Sequence, residues 1–229
     1  MAYPVSFEAD YIEHRGRLTA FFRLLLALPV FIWLYLYGIA AGVVQIVAWF
    51  AIVITGRFPE GMYKFLADFI EVEVTATAYA VLLTEPYPPF LASSKADYPV
   101  RMYFAGPLPK YSRLKTFFRG LLAIPILVMR YVATFLLEAC ALAAWVMAVV
   151  TGRVPRGLFD PMVLATSYIA RSDAYIFLLT ETYPPFQDEQ TRTAGLAEGE
   201  QQRAALHDAH VQTAVLAEGD LRASEVEDR

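Results

Sequence analysis

The sequence predicts an all-α integral membrane protein built as a tandem duplication of a unit of about 95 residues. Three observations support this fold class. The 229-residue chain is 57% hydrophobic and 18% charged, which is too apolar for an ordinary soluble domain. Two apolar stretches, 18–54 and 120–150, exceed the roughly 20 residues that cross a bilayer. Residues 16–90 also align without a gap to residues 112–186, with 28 identities in 75 positions.

The repeat divides the chain into four parts. Residues 1–90 form the first membrane repeat, 91–111 a linker, 112–186 the second membrane repeat and 187–229 an acidic cytoplasmic tail. Tyr3-Pro4-Val5 aligns with Tyr98-Pro99-Val100, so each unit is expected to begin with a short extended segment. The tail carries ten acidic residues against four arginines, and we expect it to be partly disordered or helical.

Each apolar stretch is too long for one straight crossing, so it is expected to bend. As one helix, 18–54 would extend about 55 Å against a hydrocarbon core of roughly 30 Å. In one arrangement, Leu18–Leu28 lies in the interface, Pro29 marks a kink, Val30–Ile54 crosses the membrane and helix 61–83 crosses back. In the other, 20–37 and 40–54 form a tight hairpin that turns near Gly38 and Gly42, and 61–83 lies flat on the surface.

The distribution of charge favours the hairpin. It places the basic residues of both units on one membrane face, as the positive-inside rule prefers, and it keeps Asp68, Glu71 and Glu73 out of the bilayer. Both arrangements cross an even number of times per unit. The two copies are therefore expected to be parallel about a pseudo-twofold axis along the membrane normal, with both termini in the cytoplasm.

Two motifs punctuate each unit. In TGRxPxG, at 55–61 and 151–157, we expect the Gly to end one helix and the Pro to begin the next. Arg57 and Arg153 would then contact lipid headgroups or, with free amides at the next helix start, form an anion site. The prolines of TExYPPF, at 84–90 and 180–186, end a helix. Aromatic residues expected to act as interface anchors are Trp49, Trp145, Tyr87, Phe90, Tyr183 and Phe186.

The order of these motifs resembles a known family. LLAxP, a long apolar run, TGRxPxG, an AY-containing helix and a final YPPF are similar to bacterial membrane proteins catalogued as domain of unknown function 4389, over nearly all of residues 3–186. The resemblance implies the bacterial inner membrane and no established activity.

Ionisable residues within apolar segments are candidates for function. Arg130 and Glu138 lie eight residues apart with Thr134 midway, and so share one helical face. Arg171 and Asp173 are expected to pair with Glu71 and Glu73 across the pseudo-twofold axis. Gly38 and Gly42 form a GxxxG pattern that suits helix packing or a turn.

Several classes of function lack their sequence signals. The three histidines lie outside the apolar runs, Cys140 is the single cysteine, and no phosphate-binding loop, nucleophile elbow or HExxH motif occurs. No basic patch is interleaved with aromatics. The sequence therefore predicts no enzyme, no cofactor, no metal site and no nucleic-acid partner.

The resulting prediction is a non-catalytic membrane scaffold or accessory subunit. Its expected partners are membrane lipids and either other membrane subunits or a cytoplasmic partner of the acidic tail. The alternative is a small transporter or channel that uses Arg130, Glu138, Arg171 and Asp173. A permeation path needs several inward polar groups, and the apolar run of the first unit offers Arg23 and Gln45 alone.

Overall fold

Each repeat folds as a short helix, a long helix and a return helix that runs antiparallel to the long one. The first repeat contains α1 (Arg17–Phe21), α2 (Arg23–Thr55) and α3 (Glu60–Ala80). The second contains α4 (Arg113–Phe117), α5 (Arg119–Thr151) and α6 (Arg156–Ile176). These elements come from a computed structural model that describes residues 3–92 and 98–185.

The long helices α2 and α5 are continuous over 33 residues each, so the predicted hairpin turn near Gly38 and Gly42 is wrong. A helical glycine costs about 1 kcal/mol, whereas a turn among apolar side chains leaves several backbone groups unpaired at a higher cost. The Phe69 ring of α3 lies 3.6 Å from where a Gly38 Cβ would stand, so this glycine serves helix packing. The boundary between α1 and α2 falls at Phe22, and Pro29 lies inside α2.

The predicted extended segments form a two-stranded antiparallel ribbon, which the all-α prediction did not include. Strands β1 (Val5–Ala9) and β2 (Val100–Phe104) pair with Phe7 opposite Met102. Val5, Phe7, Val100 and Met102 are buried against the helices. On the other face, Arg101 forms ion pairs with Glu8 and Asp10 at 3.8 and 2.9 Å. One face of the ribbon is therefore apolar and the other is charged.

The two repeats hold each other through reciprocal contacts. The Arg15 amide donates to the Gly152 carbonyl and the Tyr111 amide donates to the Gly56 carbonyl, both at 2.9 Å. The indole of Trp49 donates to the Thr116 carbonyl at 2.9 Å, and that of Trp145 to the Ala20 carbonyl at 3.0 Å. The segment that precedes the helices of each repeat is thus bound to the TGRxPxG corner of the other.

These contacts define two ends of the helical body. At the first end, the Gly56 corner contacts Tyr111, and at the second end, the Gly152 corner contacts Arg15. The C-terminal part of α2 therefore lies beside the start of α5, and the C-terminal part of α5 lies beside α1. The helices α2 and α5 run in opposite directions between the two ends.

The return helices α3 and α6 contact each other and form the centre of the molecule. Side chains on most sides of both are buried. By contrast, α2 buries a single stripe at helical spacing, consisting of Arg23, Ala27, Val30, Leu34, Ala41, Ala48 and Ile52. Its remaining faces and those of α5 expose large apolar side chains. By length and composition, α2 and α5 are the helices of the described residues that could cross a membrane.

Candidate functional site

A cavity of about 260 Å³ lies between α3, α5 and α6, and Phe31 of α2 also lines it. It brings together four of the residues that the sequence singled out, although they come from three helices. Its polar lining consists of Glu73, Thr77, Arg130, Thr134, Glu138, Thr166 and Asp173.

The centre of this cavity is an ion pair between α5 and α6. The Arg130 guanidinium donates to both carboxylate oxygens of Asp173, at 2.8 and 3.2 Å. Asp173 is 4% exposed, and a paired arrangement of this kind is the strong form of a charge-assisted hydrogen bond. The Thr134 hydroxyl donates to the Arg130 carbonyl at 2.9 Å, which ties it to the preceding turn of α5. The pair fastens the second repeat's long helix to its return helix.

Glu73 reaches the cavity from the first repeat, on α3. Its carboxyl group has no hydrogen-bond or ion-pair partner among residues 3–92 and 98–185. Burial raises the pKa of Glu73 to about 8, the Asp173 carboxylate adds to this increase and Arg130 opposes it. Burial also raises the pKa of Asp173, against the opposing effect of Arg130. Burial and the neighbouring Asp173 carboxylate therefore favour the neutral form of Glu73.

A hydroxyl group completes the polar wall. Thr166 on α6 is 2% exposed, and within the described parts of the chain its Oγ1 has no hydrogen-bond partner. A buried polar atom of this kind costs roughly 1 to 3 kcal/mol unless something bonds to it. The cavity is thus lined by the Asp173 carboxylate paired with Arg130, by two further carboxyl groups, those of Glu73 and Glu138, and by Thr166 with its unsatisfied hydroxyl.

The charged residues of the cavity and Thr166 have no like residues at the aligned positions of the other repeat. The residues of the first repeat that align with Arg130, Glu138, Asp173 and Thr166 are Leu34, Gly42, Thr77 and Ile70. The residue of the second repeat that aligns with Glu73 is Ile169. The charges of the cavity therefore belong to one side of the pseudo-twofold axis, unlike the motifs that both repeats share.

The predicted pairing across the axis is wrong for Asp173, because its partner is Arg130 from the same repeat. Glu73 and Asp173 both line the cavity. Arg171 is fully buried and donates to the Ser167 carbonyl at 3.2 Å. Arg171 and Glu71 do not line the cavity.

The TGRxPxG corners have the predicted local geometry. Gly56 and Gly152 end α2 and α5 with φ of 73°, in the left-handed region that favours glycine. The residues that precede α3 and α6 are Pro59 and Pro155, as expected. The Thr55 hydroxyl also accepts from the next-but-one amide, that of Arg57, at 3.1 Å. The corners therefore carry a structural role.

The arginines of the corners are exposed. Arg57 projects from the first end, and the Arg153 guanidinium lies 3.7 Å from the carboxylate of Glu13, with both side chains about half exposed. Contact of these arginines with lipid headgroups stays a prediction.

The predicted aromatic anchors fall into two groups. Trp49 and Trp145 are half-buried and donate to the opposite repeat, so their indole N–H groups hold the two repeats together. Tyr87, Phe90 and Tyr183 are exposed. Phe186 lies outside the described residues.

Of the two glycines of the GxxxG pattern, Gly42 faces open space.

The sequence analysis missed an arginine clamp at the end of each return helix. Arg23 donates to the Tyr79 carbonyl at 2.7 Å and also to the Thr84 carbonyl, and its guanidinium lies 3.9 Å from the centre of the Tyr79 ring. Arg119 donates to the Thr180 carbonyl at 2.8 Å. Both arginines follow FF in the two repeats, and both bind the carbonyl of the threonine that begins the repeated TExYPPF. Because FFR and TExYPPF both recur in each repeat, their joint repetition was the sequence signal that could have predicted the clamp.

Comparison with known proteins identifies the family and gives no activity. No curated protein and no solved structure matches the chain significantly. A family model described as "Domain of unknown function (DUF4389)" matches residues 17–92 and again residues 113–187. These two ranges coincide with the two structural repeats, from the start of α1 and α4 to the segment after α3 and α6. The chain therefore belongs to the DUF4389 family and contains two copies of its domain.

Proposed function

We propose that the protein is a non-catalytic scaffold or accessory subunit, embedded from the cytoplasmic side in one leaflet of the bacterial inner membrane. The observation that carries the proposal is the division of its surface. The long helices α2 and α5 expose large apolar side chains along their whole length, whereas the ribbon exposes a charged face. Apolar patches of this extent mark an interaction with a membrane or another protein.

The position of the ribbon supports an embedded molecule over one that crosses the bilayer. The Tyr3 hydroxyl donates to the Thr182 carbonyl at the first end, and the Tyr98 hydroxyl donates to the Pro86 carbonyl at the second end. The ribbon therefore runs between the two ends. If α2 and α5 crossed, the ribbon would lie at the depth of the hydrocarbon, where open sheet edges do not occur. Its charges would cost about 2.5 to 3.5 kcal/mol each near the centre.

The basic residues support the same orientation. The first end carries the exposed Arg57, Arg113 and Lys115, and the second end carries the exposed Arg17, Arg153 and Arg156. Crossing helices would place equal positive clusters at both membrane surfaces, against the positive-inside rule. With the helices in the plane of the membrane, both clusters and both termini face the cytoplasm, and the pseudo-twofold axis follows the membrane normal.

Cysteine labelling tests the orientation. In a Cys140→Ser background, we expect Arg57→Cys and Arg153→Cys to react with a membrane-impermeant maleimide in inverted membrane vesicles and not in intact spheroplasts. The corners lie at opposite ends of the molecule, so crossing helices would expose one from each side. Labelling of a single corner in each preparation would reject the embedded orientation.

The scaffold role rests on the way in which the interior is used. The reciprocal backbone contacts and the arginine clamps bind buried polar groups of the described core to other parts of the same chain. The exposed faces of α2 and α5 are then left for lipid and for other membrane subunits. We assign recruitment of a cytoplasmic partner to the acidic tail, residues 187–229, which lies outside the described residues.

A truncation tests this assignment. The full chain and a chain that ends after residue 186 should reach the membrane in equal amounts, because the tail contributes few large apolar residues to a core. A partner that co-purifies stoichiometrically with the full chain in mild detergent should be lost from the truncated one. Recovery of the same stoichiometric partner by both chains would contradict a recruiting tail.

The alternative function is a small transporter or channel that uses Arg130, Glu138, Arg171 and Asp173. Arg130, Glu138 and Asp173 line one cavity, and this grouping supports the alternative function. Purified protein in liposomes would release an internal fluorescent or radioactive solute if it formed a path. Solute flux above that of protein-free liposomes would favour the transporter over the scaffold.

A further inference from the structure

We propose that the cavity between α3, α5 and α6 is a binding site for a primary ammonium group, which the Glu73 carboxylate and the Thr166 hydroxyl hold beside the Arg130–Asp173 pair. This site goes beyond the scaffold role, because a scaffold needs no ligand. It adds a specific small-molecule or headgroup contact to a protein that otherwise meets the membrane through apolar side chains.

The balance of charge selects a cation. The cavity contains three carboxyl groups and one guanidinium, and Arg130 is already engaged by Asp173. Glu73 is left without a partner among the described residues. A buried carboxylate is stable when a positive group pairs with it and is otherwise forced into its neutral form. A cationic ligand would supply the positive charge that no described residue supplies to Glu73.

The neighbouring atoms select an ammonium ion. Such a group offers three N–H donors, and the cavity provides acceptors in the Glu73 carboxylate and in the buried, unsatisfied Thr166 Oγ1. In the part of the chain that the structure describes, no three His, Cys, Asp or Glu residues are placed to hold a metal ion. The Phe31 ring also lines the cavity, and aromatic faces attract organic cations.

The size of the cavity limits the ligand. Its volume of about 260 Å³ lies below the 300 to 1,000 Å³ of typical sites for drug-sized molecules. It suits a short alkylamine or the ethanolamine headgroup of a lipid. Both sources present the same primary ammonium group, and the experiments below separate them.

Proton release should accompany binding. Burial raises the pKa of Glu73 to about 8, and an ammonium ion binds the ionised carboxylate. The charged groups that face Glu73 are Arg130 and Glu138 from α5 and Asp173 from α6, whereas α2 contributes Phe31 and the ribbon contributes no lining residue. Well below pH 8, affinity should therefore rise about tenfold for each pH unit, as one proton is displaced per ligand, and the rise should level off as pH approaches 8.

Calorimetric titration of the purified full-length protein in detergent tests the site directly. n-Butylammonium chloride should bind at pH 8 and about fivefold more weakly at pH 7, whereas n-butanol and sodium chloride should give no binding heat. Glu73→Gln should weaken binding at least tenfold and remove the pH dependence. Glu60→Gln, an exposed carboxylate at the start of the same helix, is the matched control and should bind as the wild type does.

A second variant keeps the test decisive if Glu73→Gln fails to fold. Thr166→Val preserves the shape of the side chain and removes its hydroxyl, so it should weaken butylammonium binding several-fold while thermal stability is kept. Equal binding by wild type and Thr166→Val, or equal binding of butanol and butylammonium, would overturn the proposal.

Lipid nanodiscs separate the two sources of the ammonium group. Phosphatidylethanolamine added to phosphatidylglycerol discs should compete with butylammonium if the natural ligand is a lipid headgroup. Unchanged butylammonium affinity would assign the site to a soluble amine. Absence of butylammonium binding in detergent and in both kinds of disc would reject the ammonium site and leave the scaffold role untouched, since the labelling and truncation experiments do not depend on it.

Discussion

Single residues decide how the charged cavity responds to pH, and Glu73 is the clearest case. Its pKa of about 8 lies above the ordinary value of 4.5, so between these values the folded protein binds a proton that the unfolded chain has lost. The stability from this group is complete below pH 4.5 and is lost as pH rises through 8. We expect the melting temperature of Glu73→Gln to decline less than that of the wild type between pH 5 and pH 8.5. Parallel declines would show that Glu73 titrates normally.

The ion pair in the same cavity can be tested with replacements that the other repeat already uses. Arg130→Leu leaves the buried Asp173 carboxylate unpaired and should destabilise the protein by about 3 kcal/mol. Arg130→Leu with Asp173→Thr copies Leu34 and Thr77 and should restore most of that loss. Thermal unfolding of the two variants measures the difference. A double variant no more stable than Arg130→Leu alone would mean that the pair is not the source of the loss.

The element that most constrains the fold is the corner between a long helix and its return helix. Gly56 has φ of 73°, a conformation that costs other residues roughly 1 to 2 kcal/mol. Gly56→Ala should therefore lower the unfolding free energy by about that amount. Gly61 lies inside α3, and a Cβ there meets open space, so Gly61→Ala should be neutral or slightly stabilising. Equal thermal shifts for the two variants would contradict the assigned role of the corner.

At the scale of the whole molecule, the reciprocal contacts make the two repeats mutually dependent. Each repeat uses the other's corner carbonyl and buries its tryptophan N–H against the other's first helix. Expressed separately, residues 1–97 and 98–229 should be degraded or aggregate, because these buried groups lose their partners. Co-expression should yield a one-to-one complex on size-exclusion chromatography. A monodisperse, cooperatively melting first half on its own would refute this dependence.

Local signals made part of this structure predictable. The duplication, the extended starts of both units and the glycine and proline of each corner depend on residues close in sequence, and they are present in the structure. The turn at Gly38 and Gly42 was wrong because glycine fits both a turn and a packed helix. Phe69, thirty-one residues away, settles the choice by packing on Gly38.

The candidate site was predictable in its residues and not in its pairing. Arg130 and Glu138 stand out because charge is rare in an apolar run. Whether Asp173 meets Arg130 or a residue of the first repeat depends on how two helices pack, which repeat periodicity does not encode. Thr166 had no signal, since a threonine becomes notable when its hydroxyl is buried without a partner.

The segment that precedes the helices of each repeat binds the TGRxPxG corner of the other repeat. This exchange also bears on how such a chain could originate. A chain with a single copy would have to trade its N-terminal segment with a second molecule to bond the same corner carbonyls, as in a domain-swapped homodimer. In that homodimer, every substitution would occur in both protomers. An acidic residue near the twofold axis would therefore face its own copy. Fusion of two copies into one polypeptide removes this constraint. Glu73 and Asp173 could then arise on different helices beside Arg130, while the residues aligned with them, Ile169 and Thr77, carry no charge.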